Sequence, residues 1–307
     1  MPVNHKAEAP EIRFSLGGGT GIELYTRTAQ ASAATVIERY STSFGLAARL
    51  LEPGIRMQVR TIYALVRIAD EIVDGAAAGA GLDARVQGEL LDELEDETER
   101  ALERGYSTNL VVHAFAMTAR QTGIDRTLTA PFFASMRRDL DPALFTEASL
   151  AEYIFGSAEV IGLMCLRTFV CNAPDTSAQW DELEGGARRL GAAFQKINFL
   201  RDLAGDSQNL GRNYFPGCDP AHLTEAEKNR ILDDIDADLE AAARALPSLP
   251  RGCRTAVTCA HHLFARLAER LRNTPAERIV ASRVSVPNTE KLGAFVSATL
   301  AARVAGR

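Results

Sequence analysis

Cysteine is scarce in this chain, and none of it is arranged for cross-linking. Cys165, Cys171, Cys218, Cys253 and Cys259 are five among 307 residues, form no C-x-x-C pair, and leave at least one thiol over in any disulfide scheme. A fully paired disulfide framework is excluded, and a reduced, cytoplasmic setting is the expectation. Positive charge is not in excess either: 34 Lys and Arg stand against 40 Asp and Glu, a net charge of -6, so no global field draws in nucleic-acid phosphates. No nucleic-acid partner is expected. Long apolar runs are missing as well. The opening MPVNHKAEAPEIRFSLGGGTG has no apolar core of signal-peptide length, and the most apolar later stretch, Ile154 to Cys171, carries Glu159 and Arg167. Secretion and membrane spanning are therefore not expected.

Proline is sparse where helices need it to be. The twelve prolines leave free tracts from Gly54 to Ala130 and from Asp175 to Phe215. Within them apolar residues recur at three- and four-residue spacing, as in Ile62, Leu65, Val66, Ala69 and Val73, while sustained period-two alternation is lacking. With 46% hydrophobic and 24% charged residues the chain reads as folded, and the pattern predicts an all-α fold, a single helical bundle. Helices are expected over 31–50, 55–77, 82–104, 107–122, 129–139, 148–171, 178–205, 224–245, 251–272 and 288–303. Residues 1–25 are expected to be a disordered N-terminus and 26–307 one domain. The run Gly17 to Gly21 lacks the Lys and Ser/Thr of a phosphate loop and has no strand before it, so it belongs to that terminus.

Two segments carry candidate chemistry. In the first, Tyr63 to Asp74, Asp70 and Asp74 project from one helix face a turn apart, with Arg67 one turn earlier. Two carboxylates so placed, with substrate phosphate oxygens, suit a hard cation such as Mg²⁺. Arg67 could hold phosphate through its fork of donors, or pair with Asp70 or Glu71 as a plain helix salt bridge. In the second segment, Gln195 to Asp206, the spacing recurs and sets Gln195, Asn198, Asp202 and Asp206 near one face. In both segments the acids lie amid apolar residues, where charge is costly unless paired or metal-bound. The spacing by itself decides nothing. Asp92 and Asp96, and Asp234 and Asp238, lie four apart too, in charge-saturated runs that read as solvated helix faces. His261-His262 has no ligand-spaced partner and reads as helix surface or core, and Trp180 as packing.

Taken together the two segments resemble the squalene and phytoene synthase family, head-to-head prenyltransferases with two aspartate-rich helices. Tyr40-Ser41-Thr42-Ser43-Phe44 resembles that family's first-helix serine motif and Ile62 to Gly75 its first aspartate motif. Ser157 to Met164 is similar to its middle helix, Gln195 to Asp206 with Gly211 to Pro216 to its second aspartate motif and tail, and Arg283 to Pro287 with Lys291-Leu292 to its closing segment. The resemblance spans about residues 35 to 300 in order and is nearest to bacterial phytoene synthases. It implies an isoprenoid-synthase bundle with a central cavity, joining two geranylgeranyl diphosphates through prephytoene diphosphate to phytoene, a step of carotenoid biosynthesis.

The family pattern gives catalytic roles to Asp70, Asp74, Asp202, Asp206 and Arg67, and places Mg²⁺, or Mn²⁺ in its stead, on Asp70, Asp74, Asn198, Asp202 and Asp206. Tyr40, Ser41, Ser43, Tyr63, Arg67, Gln195, Asn198 and Arg201 would bind substrate. Phe44, Phe132, Phe133, Leu163, Phe194 and Ile197 are candidates for the dry cavity. No NADPH is expected for phytoene. The greasy substrates imply peripheral contact with the inner face of the membrane, and the pathway implies association with other carotenoid enzymes. Gly205 departs from the family by standing where an acidic residue is usual, and Phe264 stands where many relatives have tyrosine. The rival expectations are a squalene or dehydrosqualene synthase using farnesyl diphosphate, a head-to-tail elongase or terpene cyclase, and a catalytically silent helical interaction protein.

Overall fold

The computed structural model describes residues 20–41, 43–141, 144–173, 179–209 and 213–282, and among them there is helix and no strand. The first helix, α1 (Gly21–Tyr40), opens on a capping box. The Thr20 hydroxyl accepts from the Glu23 amide at 3.4 Å while the Thr20 amide donates to the Glu23 carboxylate at 2.8 Å. Residues 21–25, expected to be disordered, are thus helical, and the Tyr25 hydroxyl fastens them to the Ser107 carbonyl at 2.9 Å. The expected helix 31–50 is broken at Ser41, which is extended, and resumes as α2 (Ser43–Ala48).

Proline at its first turn starts α3 (Pro53–Asp74), which buries Val59, Ile62, Leu65, Ala69 and Val73 along one stripe. A short α4 (Ala76–Gly79) leads to α5 (Ala84–Arg104), capped by Asp83 and ended by Gly105 at φ 75°. Then come α6 (Leu110–Thr122), α7 (Arg126–Arg138) and α8 (Glu147–Ile154). A π-helical turn, Phe155–Glu159, joins α8 to α9 (Val160–Val170). The longest helix, α10 (Trp180–Asn209), is followed by α11 (Glu225–Ala245), α12 (Arg251–Arg272) and α13 (Ala276–Ala281).

One apolar core lies between α1, α3, α5, α6, α7 and α9, around Phe115, Phe132 and Phe133. A second joins α10, α11 and α13 around Leu200, Leu232 and Ile279. Helix α10 meets α9 and the π-helical turn backbone to backbone. A Cβ on Gly162 would lie 2.5 Å from the Ala187 carbonyl oxygen, and one on Gly191 2.6 Å from that of Ala158. Only glycine fits this approach. From Glu147 to Val170 the helical chain is long and apolar enough to cross a membrane, and 56% of its apolar 18-residue window is buried inside the protein.

The acidic control pairs divide. Asp92 and Asp96 do face solvent, with side chains 61% and 74% exposed. Asp238 does not: it is 1% exposed and accepts from Arg189 and Lys196 of α10, each at 2.8 Å, while Asp234 stays at the surface. The reading of 234 and 238 as a solvated face is corrected by a buried ion pair between α10 and α11. His261 is buried, its Nε2 2.9 Å from the Leu239 carbonyl oxygen, and the Trp180 ring packs under the Arg167 guanidinium.

Candidate active site

Helix α3 turns Tyr63, Val66, Arg67, Asp70 and Asp74 toward a cavity of about 440 Å³, and α10 turns Gln195, Asn198, Phe199, Arg201 and Asp202 toward the same space. The helical repeat accounts for both rows, because positions three, four and seven apart share a face. The two aspartate segments therefore meet across one cavity. Its charges are paired internally. Arg67 Nη1 donates to Asp70 Oδ2 at 2.7 Å and a second Arg67 nitrogen donates to Glu71, while its Nε is buried with no partner. Arg201 Nε donates to Asp202 Oδ1 at 2.9 Å, and its second arm reaches Oδ2. Burial works against charge on Arg67, but Asp70 and Glu71 outweigh it and hold its pKa above the ordinary guanidinium value. Burial also raises the Tyr63 phenol, against the lowering pull of Arg67 and of a hydrogen bond with Ser41.

Tyr40 stands back from the lining; its ring is half exposed and carries the Arg67 guanidinium 4.6 Å from its centroid. Ser41 reaches the site through Tyr63. The side chains of Ser43, Phe44 and Asp206 lie outside the described ones, as do Gly211, Arg212 and the closing segment from Arg283 to Leu292. Of the expected cavity residues, Phe132 lines this space, whereas Phe133, Leu163 and Ile197 belong to the packed cores behind it.

Polar lining residues to which the sequence reading assigned no site role include Asp139 and Tyr153, and also Ser157 and Tyr214, which fall inside the middle-helix and tail segments. Asp139 follows Arg137-Arg138 and looks like surface, yet it is buried and accepts from the Tyr153 hydroxyl at 2.7 Å. Tyr214 stacks on Phe199 with centroids 3.9 Å apart. The only signal for Tyr153 and Tyr214 was an aromatic residue beside apolar ones, which core packing produces equally well.

Behind the polar cavity lies an apolar chamber of about 250 Å³, whose walls include Leu51, Cys165, Phe169, Ala187, Phe194 and Val257. Ser157, Ile161 and Gln195 line both spaces and stand where the two adjoin, here called the neck. Along α10 the chamber runs from Gln195 to Leu183, twelve residues or about 18 Å at the helical rise. Burial pushes the Cys165 thiol up to about 12, so the chamber carries no charge there. Phe264 stacks on Phe194 at 3.7 Å between centroids and has an apolar role.

Among the described residues no three His, Cys, Asp or Glu side chains converge as a closed metal cage. The donor set still suits Mg²⁺, which takes one or two carboxylates together with phosphate oxygens and retained waters rather than an all-protein cage. Asp70, Asp74, Asn198 and Asp202 supply hard oxygens from two helices lining one cavity.

This arrangement has counterparts. The squalene/phytoene synthase family model matches residues 37–290. The chain belongs to this family. The 15-cis-phytoene synthase of Paracoccus sp. (strain N81106 / MBIC 01143) is 26% identical over 273 residues, covering 84% of this chain and 86% of that protein. Phytoene synthase 2, chloroplastic, of Zea mays is 30% identical over 66% of this chain, which spans 47% of the maize protein. Among solved structures a dehydrosqualene synthase in complex with ligand superposes with a TM-score of 0.72 at 20% identity, over 92% of this chain and 99% of that one. Squalene synthase HpnC from Alicyclobacillus acidocaldarius gives 0.58 at 18%, over 84% and 94%. The all-α isoprenoid-synthase fold is shared, and membership makes the chain a prenyltransferase-type enzyme.

Proposed function

We propose that the protein condenses two geranylgeranyl diphosphates head to head, through prephytoene diphosphate, to phytoene. The observation that carries this reading is an acidic, arginine-bearing cavity adjoining an apolar chamber, with Ser157, Ile161 and Gln195 in both linings, an arrangement suited to a molecule charged at one end and hydrocarbon along the rest. Phytoene synthase names among the curated relatives support the chain length.

Asp70, Asp74, Asn198 and Asp202, with Asp206, are the residues that would hold Mg²⁺. The cation would offset the repulsion between diphosphate and carboxylates and stabilise the leaving pyrophosphate. With Asp70 and Asp202 engaged by a cation, Arg67 would keep Glu71 while its other donors, and the fork of Arg201, would be available to phosphate oxygens. Tyr63, hydrogen-bonded with Ser41 and kept neutral by burial, borders the reacting end. Ionisation of the first diphosphate leaves an allylic cation. The double bond of the second substrate attacks it, and loss of a proton to the released pyrophosphate closes the cyclopropane. A second ionisation, rearrangement and proton loss release phytoene. The apolar chamber excludes water that would otherwise quench these cations. No step calls on NADPH.

The test is incubation of purified protein with labelled geranylgeranyl or farnesyl diphosphate, with Mg²⁺ or EDTA and with or without NADPH, followed by mass spectrometry of the lipids. A metal-dependent C40 product without NADPH is expected. A C30 product would move the assignment to squalene or dehydrosqualene synthesis, and no turnover of either substrate would reject the enzymatic reading.

A further inference from the structure

Ser157 is buried at 7% exposure, and its hydroxyl has no hydrogen-bond partner. The local backbone explains the orphan. A helical serine ordinarily gives its proton to the carbonyl four residues back, here that of Tyr153. Ser135 Oγ from α7 already donates to that carbonyl at 3.1 Å. The π-helical turn Phe155–Glu159, closed by the Val160 amide on the Phe155 carbonyl, sets Ser157 out of the regular helical register. The turn is clamped: a Cβ on Gly156 would fall 2.2 Å from both the Pro131 carbonyl oxygen and Ser135 Oγ, so α7 presses directly on the backbone beside Ser157. A buried unpaired hydroxyl on a fixed backbone is costly and points to a ligand atom that completes it.

Its place identifies that atom. Ser157 lies at the neck, lining both the acidic cavity and the apolar chamber. A prenyl diphosphate with its phosphates in the first and its hydrocarbon in the second puts its C1–O ester linkage at the neck. We propose that Ser157 Oγ donates a hydrogen bond to the bridging ester oxygen of the prenyl diphosphate. When the C1–O bond breaks, its electron pair stays on that oxygen, which becomes part of the leaving pyrophosphate, and C1 becomes the allylic cation. Ser157 keeps its proton throughout. Because negative charge grows on the bridging oxygen only as the bond breaks, the hydrogen bond strengthens in the transition state and acts on kcat more than on KM.

This inference rests on the prenyl diphosphate reading, and the experiment separates the two. Wild type, Ser157→Ala and Ser157→Thr are compared in steady-state kinetics with the substrate that the wild type turns over, and with its analogue carrying sulfur at the bridging position, a weak acceptor. The alanine variant is expected to lose on the order of 10²-fold in kcat, with KM nearly unchanged and an unchanged melting temperature. Threonine should restore most of the rate, and the alanine effect should largely vanish with the sulfur analogue. An active wild type whose kcat survives Ser157→Ala, or an alanine effect equally large with the sulfur analogue, overturns the assignment to Ser157 alone. A wild type that turns over neither prenyl diphosphate overturns the functional reading and this assignment with it.

Discussion

Replacing Asp238 by alanine leaves Lys196, whose side chain is 17% exposed, without its buried partner. Removing one member of a buried ion pair costs about 3–5 kcal/mol, because the remaining charge is uncompensated. Two features reduce that figure here. Asp234 continues to hold Lys196 from a 62% exposed position, and Arg189, the other partner, is itself 62% exposed and can turn to water. A loss of about 2–4 kcal/mol is therefore expected for Asp238→Ala. Asp234→Ala removes a surface partner and should cost about 0–1 kcal/mol. At about 2.1 cal/mol/K of unfolding entropy per residue, each kcal/mol moves the midpoint of a chain this long by roughly 1.5 °C, so the expected shifts are about 3–6 °C and about 0–1.5 °C.

The pH dependence has a definite sign. Burial opposes charge on Lys196, but Asp234 and Asp238 outweigh it and raise the pKa above that of the unfolded chain. The stability this contributes is fully present below the unfolded lysine value of about 10.4 and is lost as pH rises through the folded value. Thermal melts followed by circular dichroism, at neutral pH and at points above pH 10, read all of this. Equal shifts for the two variants, or an Asp238→Ala melt within about 1 °C of wild type, would refute the reasoning.

Other expectations follow from the site. Asp202→Asn removes a carboxylate that Arg201 grips and the proposed cation needs; the Mg²⁺ concentration giving half the maximal rate should rise on the order of 10–100-fold, as measured by titrating metal into the turnover assay. Val257→Phe fills part of the apolar chamber, so the kcat/KM for geranylgeranyl over farnesyl diphosphate should drop on the order of tenfold when the two compete. An unchanged ratio would show that Val257 does not limit chain length. With its thiol pushed up to about 12, Cys165 has a thiolate fraction of roughly 10⁻⁴ at pH 8, and iodoacetamide should modify it only after unfolding. Peptide mass spectrometry after labelling pulses on native and on unfolded protein checks this.

What could be read from the amino-acid order was whatever is local. The stripe of Ile62, Leu65, Ala69 and Val73 repeats within one helix, and Arg67 meets Asp70 three residues away, so α3 and its ion pair were both visible as spacing. Asp238 was misjudged because its cations lie 42 and 49 positions away, on a helix that only the tertiary fold brings alongside. Asp139 was hidden for a like reason, since its partner is fourteen residues off across a helix break. The Thr20–Glu23 capping box is a local signal, Thr followed three residues later by Glu, and it starts a helix inside the stretch expected to be disordered. The π-helical turn had no signature: Phe155 to Glu159 contains nothing that a regular helix would refuse.

The apolar chamber follows from the contact of α10 with α9 and the π-helical turn before it. Interiors normally close up until no such space is left, and the chamber walls are rich in residues too small to prop helices apart, among them Ala158, Gly162, Ala187 and Gly191. At Gly162 and Gly191, however, the helices already touch backbone to backbone. They can approach no further, so the space bounded by α2, α9, α10, α11 and α12 cannot be removed by tightening that contact. The void is therefore set by the helix framework rather than by a missing side chain, and its apolar lining makes hydrocarbon a better occupant than water. The polar cavity obeys the complementary rule. Its aspartates cannot stand together uncompensated, and Arg67 and Arg201 supply the opposite charge from the same two helices. A ligand that brings hydrocarbon to one space and phosphate with cations to the other satisfies both, and the neck residue left with an unmet hydrogen bond, Ser157, lies where the two halves of such a ligand join.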